Sequence, residues 1–457
     1  MGGRHFQLRW GVVLALVIVD GLWHDAWAIP AFTRKFDLPC SQCHTIPPTL
    51  NDVGETFRTS GYRMAGLAET VPEALREQVR KELPEDLHPA YLPLSARAVM
   101  GYRYRSRDHQ DTDLGEAKLQ TRTSGLERFD LMAGGLLTPD VNFYLTYQPT
   151  VTNADLETSA GQDGRVESAW IRFNELPFGV LKWNLKVGSF ELDVPASRYR
   201  RYTLSTYPIF GYFSPGSAAA DDPDTTLDWS RAQLGGEASG HGPGNTSLSL
   251  ALINGTNGHA DSNKAFDYYV RGTLPVAENR FGGFLYWGTA PSNFQFTPAG
   301  DPIAGTGISN HTFYRVGLDG DVKHAPLRVL GLLAYGSDSA GLFGGSDPQR
   351  ASFGGGYIEV QYDLLKERSL MGVLRYDLIR NSGRFLFLDF QQGDARTDAQ
   401  KGDLDAITLA ARYDLIETTR LSLIIHGEYS HEKTKGTSVD GHDETDNRMT
   451  VAVDLML

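Results

Sequence analysis

The sequence predicts a mainly β chain, a closed barrel of about sixteen strands preceded by a small α-helical domain. Three observations predict it. From about Ser95 to Leu457, apolar and polar residues alternate with period two. The connections between the alternating segments are short and long in turn. Ahead of them, helical periodicity follows the chain's two cysteines.

At the N-terminus, Arg4 and Arg9 precede an apolar run from Gly11 to Val19, and Ala26 and Ala28 flank Trp27. That order is a secretory signal peptide with an A-x-A cleavage site over residues 1–28, so the mature chain is expected to begin at Ile29. The competing reading, a membrane anchor, needs an apolar run about twice as long. Beyond it no stretch suits a membrane helix, and the mean hydropathy of -0.31 resembles that of a soluble protein. A β-barrel escapes this test, because alternate residues face lipid and lumen. The net charge of -13 argues against nucleic acid as a partner, since phosphate contacts need clustered Lys and Arg. An acidic excess suits solubility, cations or a basic partner protein.

Both cysteines lie in Cys40-Ser41-Gln42-Cys43-His44, which leaves none for a structural disulfide. At this spacing two thiols add to the vinyl groups of a haem while the adjacent imidazole reaches the iron. Cys40 and Cys43 are therefore the candidate covalent positions for one haem c, and His44 is the proximal iron ligand. A thioredoxin-like redox pair wants a βαβ context that is missing, and a zinc site wants a second pair of ligands.

Leu50, Val53, Phe57 and Met64 then fall at helical spacing, with Asn51 or Asp52 as a cap and Gly61 near the end. Thr70-Val71-Pro72-Glu73 opens a second helix carrying Leu75, Val79 and Leu83. Pro84, Pro89 and Pro93 break the pattern and bound the haem-bearing domain at residues 29–90. That is small for a domain burying a large apolar cofactor, so another part of the chain is expected to cover it. Met64 is the candidate distal iron ligand through its thioether, against the reading that it fills the core. His88, a barrel residue or an open position are the other candidates.

Strands are expected near 95–105, 124–135, 140–149, 165–174, 181–190, 225–238, 245–254, 264–274, 279–288, 311–323, 327–337, 350–363, 368–380, 403–415, 418–430 and 445–457. In one of them Val141, Phe143, Leu145 and Tyr147 share a face opposite Asn142, Tyr144 and Thr146. In another, Ile407, Leu409, Ala411, Tyr413 and Leu415 alternate with Thr408, Ala410, Arg412 and Asp414. Met449, Val451, Val453 and Leu455 oppose Thr450, Ala452 and Asp454 in the last segment, which ends the chain and is expected to close the barrel. The connections at Thr138–Asp140, Pro275–Glu278, Ala325–Pro326 and Glu417–Thr419 are tight, while 106–123, 191–224, 289–310, 381–402 and 431–444 are long and polar. Short periplasmic turns and long extracellular loops are the mark of a transmembrane barrel over 91–457, in contact with outer-membrane lipid. A soluble β-sandwich has no reason to sort its loops by length.

Ile29-Pro30-Ala31-Phe32-Thr33-Arg34-Lys35-Phe36, Cys40 to His44, Pro48-Thr49-Leu50-Asn51, Gly54, Phe57 and Gly61-Tyr62 together resemble the start of the fused monohaem cytochrome c–porin family of outer-membrane iron-oxidising cytochromes. The resemblance implies a signal peptide, one short cytochrome domain and a barrel of about sixteen strands, with Cys40 and Cys43 as thioether positions and His44 as proximal ligand. It also implies extracellular Fe(II) as donor, a periplasmic cytochrome or other carrier as acceptor, and an iron:cytochrome c oxidoreductase type of activity. The sequence leaves open a passive porin with a haem-bearing plug, a fused cytochrome–porin with a donor other than iron, and a periplasmic carrier on a soluble β-scaffold. The loop at 191–224, carrying Arg198, Tyr199, Arg200, Arg201, Tyr202 and Tyr207, is expected either to fold into the lumen beside the haem propionates or to lie solvated on the surface. Asp221, Asp222 and Asp224 offer weak attraction for cations. No nucleophile with its base and no phosphate loop supports hydrolase chemistry.

Overall fold

The structure, a computed structural model, describes residues 42–46, 49–59, 62, 94–111, 115–138, 140–149, 164–176, 182–194, 201–215, 227, 229, 231–242, 246–255, 265–296, 302–339, 351–365, 370–381, 386–389, 396–400, 402–417, 421–435 and 443–456. The expected signal peptide, Cys40, Met64, His88 and the second helix lie outside the described residues. The chain enters with a short hairpin, β1 (His44–Ile46) and β2 (Thr49–Leu50), and the helix α1 (Asp52–Thr59).

Seven strands follow: β3 (Leu94–Asp111), β4 (Gly115–Thr138), β5 (Val141–Gln148), β6 (Arg165–Leu176), β7 (Lys182–Phe190), β8 (Gln233–His241) and β9 (Ser247–Ile253). Between β7 and β8 lies a short helix, α2 (Pro208–Phe213). The wall continues through β10 (Asp267–Val276), β11 (Asn279–Phe296), β12 (Pro302–His324), β13 (Leu327–Asp338), β14 (Ala351–Asp363) and β15 (Leu370–Asn381). A separate hairpin, β16 (Leu386–Asp389) and β17 (Arg396–Gln400), precedes the last three wall strands, β18 (Asp403–Glu417), β19 (Ser422–Lys435) and β20 (Glu444–Met456). Each of the sixteen wall strands pairs antiparallel with its neighbours, and β20 closes on β3 from Thr445 opposite Asp108 to Met456 opposite Arg97.

Period-two alternation becomes two faces of opposite chemistry. Leu318 and Leu333 are 69% and 71% exposed on the outside, whereas Arg315, Asp338, Glu359 and Asp377 on the inside are buried. In water such a molecule would be inverted; in hydrocarbon it is the right way out. Closure leaves no unpaired backbone edge, which is the condition for strands to cross lipid. Outward rings pair as Tyr268 with Trp287 and Tyr314 with Tyr335 toward the long-loop end, as interfacial aromatics do. The chain is a bacterial outer-membrane barrel, and its short turns mark the periplasmic end.

All sixteen expected strands are present, and two kinds of boundary differ. The stretches 106–123 and 289–310, expected as loops, are largely strand: β3 and β4 pair as far as Asp111 opposite Gly115, and β11 and β12 pair as far as Phe296 opposite Pro302. Apolar alternation stops where the lipid stops, but backbone pairing needs no apolar face and continues beyond it. The strand expected at 225–238 begins only at Gln233. Leu227 and Trp229, which mimicked its apolar face, belong instead to a cluster packed inside the lumen.

Candidate functional site

The end of the C-x-x-C-H motif is bound to the helix that follows it. Asn51 caps α1, its Oδ1 accepting the Gly54 N–H at 3.0 Å, while its Nδ2 donates to the Gln42 carbonyl at 3.0 Å. Its backbone N–H donates to the Cys43 carbonyl at 3.0 Å, and His44 pairs with Leu50 across the hairpin. Gly54 lies so close that a Cβ there would run into the Cys43 carbonyl oxygen, which is why the helix carries glycine at that turn. The Cys43 thiol is free and half-buried, and burial pushes it up to about 11. A clamped loop with a free thiol and an adjacent half-buried imidazole fits the attachment chemistry of haem c.

This segment sits within the barrel, against the inward faces of β5 and β6. Arg172 donates to the carbonyls of Arg58 (3.3 Å) and Thr59 (2.9 Å), satisfying the end of α1. Arg58 reaches Asp193 at 3.3 Å. Burial opposes its charge, but Glu55 and Asp193 outweigh burial and hold the guanidinium above its ordinary value. Tyr62, at a positive φ of 59°, donates its N–H to the Phe57 carbonyl, and its ring stacks on Trp170 (6.0 Å) beside Tyr144 (6.2 Å).

The loop after β7 is the second insert, and the surface alternative for its described part is overturned. Residues 201–215 run inside the lumen as a strap. Glu428 accepts the N–H groups of Leu204 (2.6 Å) and Ser205 (2.8 Å). Arg375 donates to Thr203 Oγ1 (2.7 Å) and the Thr206 carbonyl (3.0 Å), and lies over the Tyr207 ring. Tyr207 donates to Glu359 at 2.8 Å, Tyr212 to the Gly402 carbonyl at 2.6 Å, and Arg315 to the Phe213 carbonyl at 3.0 Å. Burial, with Glu359 beside it, holds the Tyr207 phenol well above its ordinary value. Ile209, Phe210 and Phe213 pack with Trp229, Phe284, Tyr286 and Phe353 in an apolar cluster. Hydrophobic burial inside a polar lumen is what makes the loop fold inward.

Of the expected site residues, the structure places Cys43 and His44 on this lumen segment, while Cys40 and Met64 lie outside the described residues. From the loop, Arg201, Tyr202 and Tyr207 are within the lumen, and Arg198, Tyr199, Arg200, Asp221, Asp222 and Asp224 lie outside the described residues. Sequence reasoning missed Arg58, Arg172, Trp170 and Asp193, which hold the segment. Three of the strap's anchors, Glu359, Arg375 and Glu428, carry a readable signal: charge at inward positions of strands. Among the described residues no group of His, Cys, Asp and Glu is arranged to hold a further metal ion.

No protein-family model matches the chain, and no curated protein matches it in sequence. Among solved structures the chain is similar to the anion-selective porin from Comamonas acidovorans, at 12% identity and a TM-score of 0.48 over 80% of this chain and 99% of that one. It is also similar to Pseudomonas putida OprB, at 10% identity and 0.49 over 79% and 93%. Salmonella typhi OmpF matches at 11% identity and 0.47 over 80% and 97%. These likenesses concern the course of the barrel alone.

Proposed function

We propose that the chain is an outer-membrane electron-transfer protein that takes electrons from extracellular Fe(II) and passes them to a periplasmic carrier through a single haem c. The observation that carries this reading is the lodging of the described end of the motif, Gln42 to His44, inside a closed membrane barrel. Cys40 and Cys43 hold the group covalently, His44 is its proximal ligand, and Met64 is the candidate for the distal position. When bound, haem c supplies reversible one-electron transfer at its iron. The barrel insulates the site from lipid, and the strap and wall supply the cover that the short haem-bearing domain at 29–90 lacks. The start of β3 at Leu94 on the periplasmic side supports a haem-bearing domain that enters the lumen from below.

The test uses sealed proteoliposomes with a reducible cytochrome enclosed. Fe(II) added outside should reduce the haem and then the enclosed carrier. An oxidised haem with free passage of small solutes would favour a passive porin with a haem-bearing plug. Reduction by other donors with indifference to Fe(II) would favour a related fusion with a different donor. Covalent attachment is checked separately by a c-type pyridine haemochrome spectrum that survives denaturation and is altered by Cys43→Ala.

A further inference from the structure

A second apolar cluster lies on the inward wall, separate from the aromatic one. Met371 and Val373 of β15, Ala410 of β18, Ile424 of β19 and Met456 of β20 form it, with Tyr202 as its one strap member among the described residues. We propose that this patch is the docking surface for the helix expected at Thr70–Leu83, a segment of this chain outside the described residues. The inference needs only the barrel and that helix, and it holds whichever donor the haem-bearing domain serves.

The patch is an apolar island in an ionic wall. Arg412 and Asp454, bonded at 3.2 Å, lie among its members on the same inward face. In a polar lumen such side chains expose hydrocarbon to water until an apolar partner covers them. Two polar atoms at the same place also lack partners. Ser422 and His426 flank Ile424 on one face of β19, and both are buried. Ser422 Oγ and His426 Nδ1 have no hydrogen-bond partner among the described residues, although His426 Nε2 meets Glu428 at 3.1 Å. The cover must therefore carry hydrocarbon and hydrogen-bonding groups together. Water offers only the second, and the flat face of a haem ring offers only the first. An amphipathic helix offers both: Leu75, Val79 and Leu83 fall on one stripe, with Arg76 and Glu82 at its two edges.

Length and attachment agree with this occupant. The patch crosses four neighbouring wall strands, β15, β18, β19 and β20, which is about 14 Å at the usual strand spacing. A helix over 70–83 is about 21 Å long and can cover it. The stretch that carries the helix is fixed at both ends, since Tyr62 stacks on Trp170 and Leu94 opens β3 opposite Ala133. β3 is itself bonded to β20, where Arg97 pairs with Met456, so the chain re-enters the wall beside the patch. The haem-bearing domain is then fastened on both sides of β3 and β4, with α1 on β5 and β6 and the second helix on the patch. Two fastening points fix the orientation of a domain that one partly wet latch would leave free to turn.

The test uses the full haem-loaded protein in detergent, with cysteines placed in pairs. Val79→Cys should form a disulfide with Ala410→Cys or Val373→Cys on mild oxidation, seen as a gel shift that a reductant reverses. With Ala334→Cys, on the inward face of β13, it should form none. Failure with both patch positions, or an equal yield with Ala334→Cys, would overturn the assignment. Ile424→Asn puts an unpaired amide into the patch, and protease cleavage within 70–83 should quicken about tenfold, since cleavage follows the opening equilibrium of the segment. Ile424→Val should be cleaved like the unaltered protein. If the cysteine pairs fail to assemble, Ile424→Asn decides alone, and unchanged cleavage overturns the assignment. A shifted haem spectrum in Ile424→Asn without faster cleavage would give the patch to the haem ring and overturn it too. Absence of covalent haem in the unaltered protein would instead sink the functional reading alone, because the cleavage can still be read.

Discussion

The two segments that enter the lumen are fastened by different physics. The strap is held by Arg375, Glu359 and Glu428, each buried, and by aromatic side chains that form one cluster with the wall. The motif segment is held by Arg58 and Asp193, whose side chains are 26% and 23% exposed, by Tyr62 leaning on half-buried rings, and by one buried donor, Arg172, whose bonds to the segment go to backbone carbonyls. A buried ion that loses its partner keeps its desolvation cost, whereas a wet pair exchanges its partner for water. The strap is thus part of the barrel's folded core, and the motif segment is a separate unit latched against it.

The largest effect is expected where the strap is fastened. Arg375→Ala leaves the buried Asp377 carboxylate and the Thr206 carbonyl without their donor, a loss of about 3–5 kcal/mol for one partner of a buried pair. The urea midpoint of the heat-modifiable gel band should fall, and conductance in planar bilayers should rise as the strap loosens. An unchanged midpoint would erase the contrast between the two inserts.

Next comes the clamp on the motif. Gly54→Ala drives a methyl group into the Cys43 carbonyl, and overpacking of this kind costs about 1–3 kcal/mol. The damage should stay local: lower yield of covalently attached haem and faster proteolysis near the motif, with the barrel's urea midpoint unmoved. A fall in that midpoint equal to that of Arg375→Ala would mean the two inserts fold as one.

How far this was legible in the sequence follows from where the alternation operates. Ile407 and Leu409 against Thr408 and Arg412 fixed which face meets lipid, because a residue on a strand has only two faces to choose from. The strap was half legible: its Tyr and Arg content suggested a lumen role, but no periodicity says that Trp229 leaves the strand pattern to pack on Phe213 at 4.8 Å. The latches were not legible at all. Arg172 and Asp193 are ordinary charged residues more than a hundred positions from Arg58, and only the folding of the motif segment into the barrel brings them to it. In the motif, Asn51 was readable as a cap because capping is local, and its second bond, to Gln42, was not.

A smaller effect is expected at Tyr62. Its ring lies between Phe57 at 5.6 Å and Trp170 at 6.0 Å, so Tyr62→Ala removes aromatic contacts that contribute about 0.5–1.5 kcal/mol beyond simple burial. Trp170 gains water, and tryptophan emission should shift to the red while the barrel's melting is unaffected. Tyr62→Phe should leave the emission where it is, because stacking and not the hydroxyl makes the contact. A red shift in Tyr62→Phe as large as that in Tyr62→Ala would assign the contact to the hydroxyl instead.

The smallest effect tests the comparison most sharply, because it asks whether the latch is as weak as its exposure implies. Removing Arg58 does not strand Asp193, which keeps Arg271 at 3.3 Å and whose backbone carbonyl still accepts from Tyr269 at 2.5 Å. Glu55 loses its partner at 2.8 Å, but its side chain is 18% exposed and water can take the vacated place. The helix end also stays capped, since Arg172 donates to backbone carbonyls that the substitution retains. What remains is a partly wet ion pair, for which a coupling of about 0.2–1 kcal/mol is expected. A double-mutant cycle of Arg58→Ala and Asp193→Asn, read by protection of the motif segment from protease, isolates that term from whatever each substitution does alone. The coupling should shrink further at high salt, since a pair open to solvent is screened. A coupling of several kcal/mol that salt leaves unchanged would show that the segment is committed to the barrel as firmly as the strap.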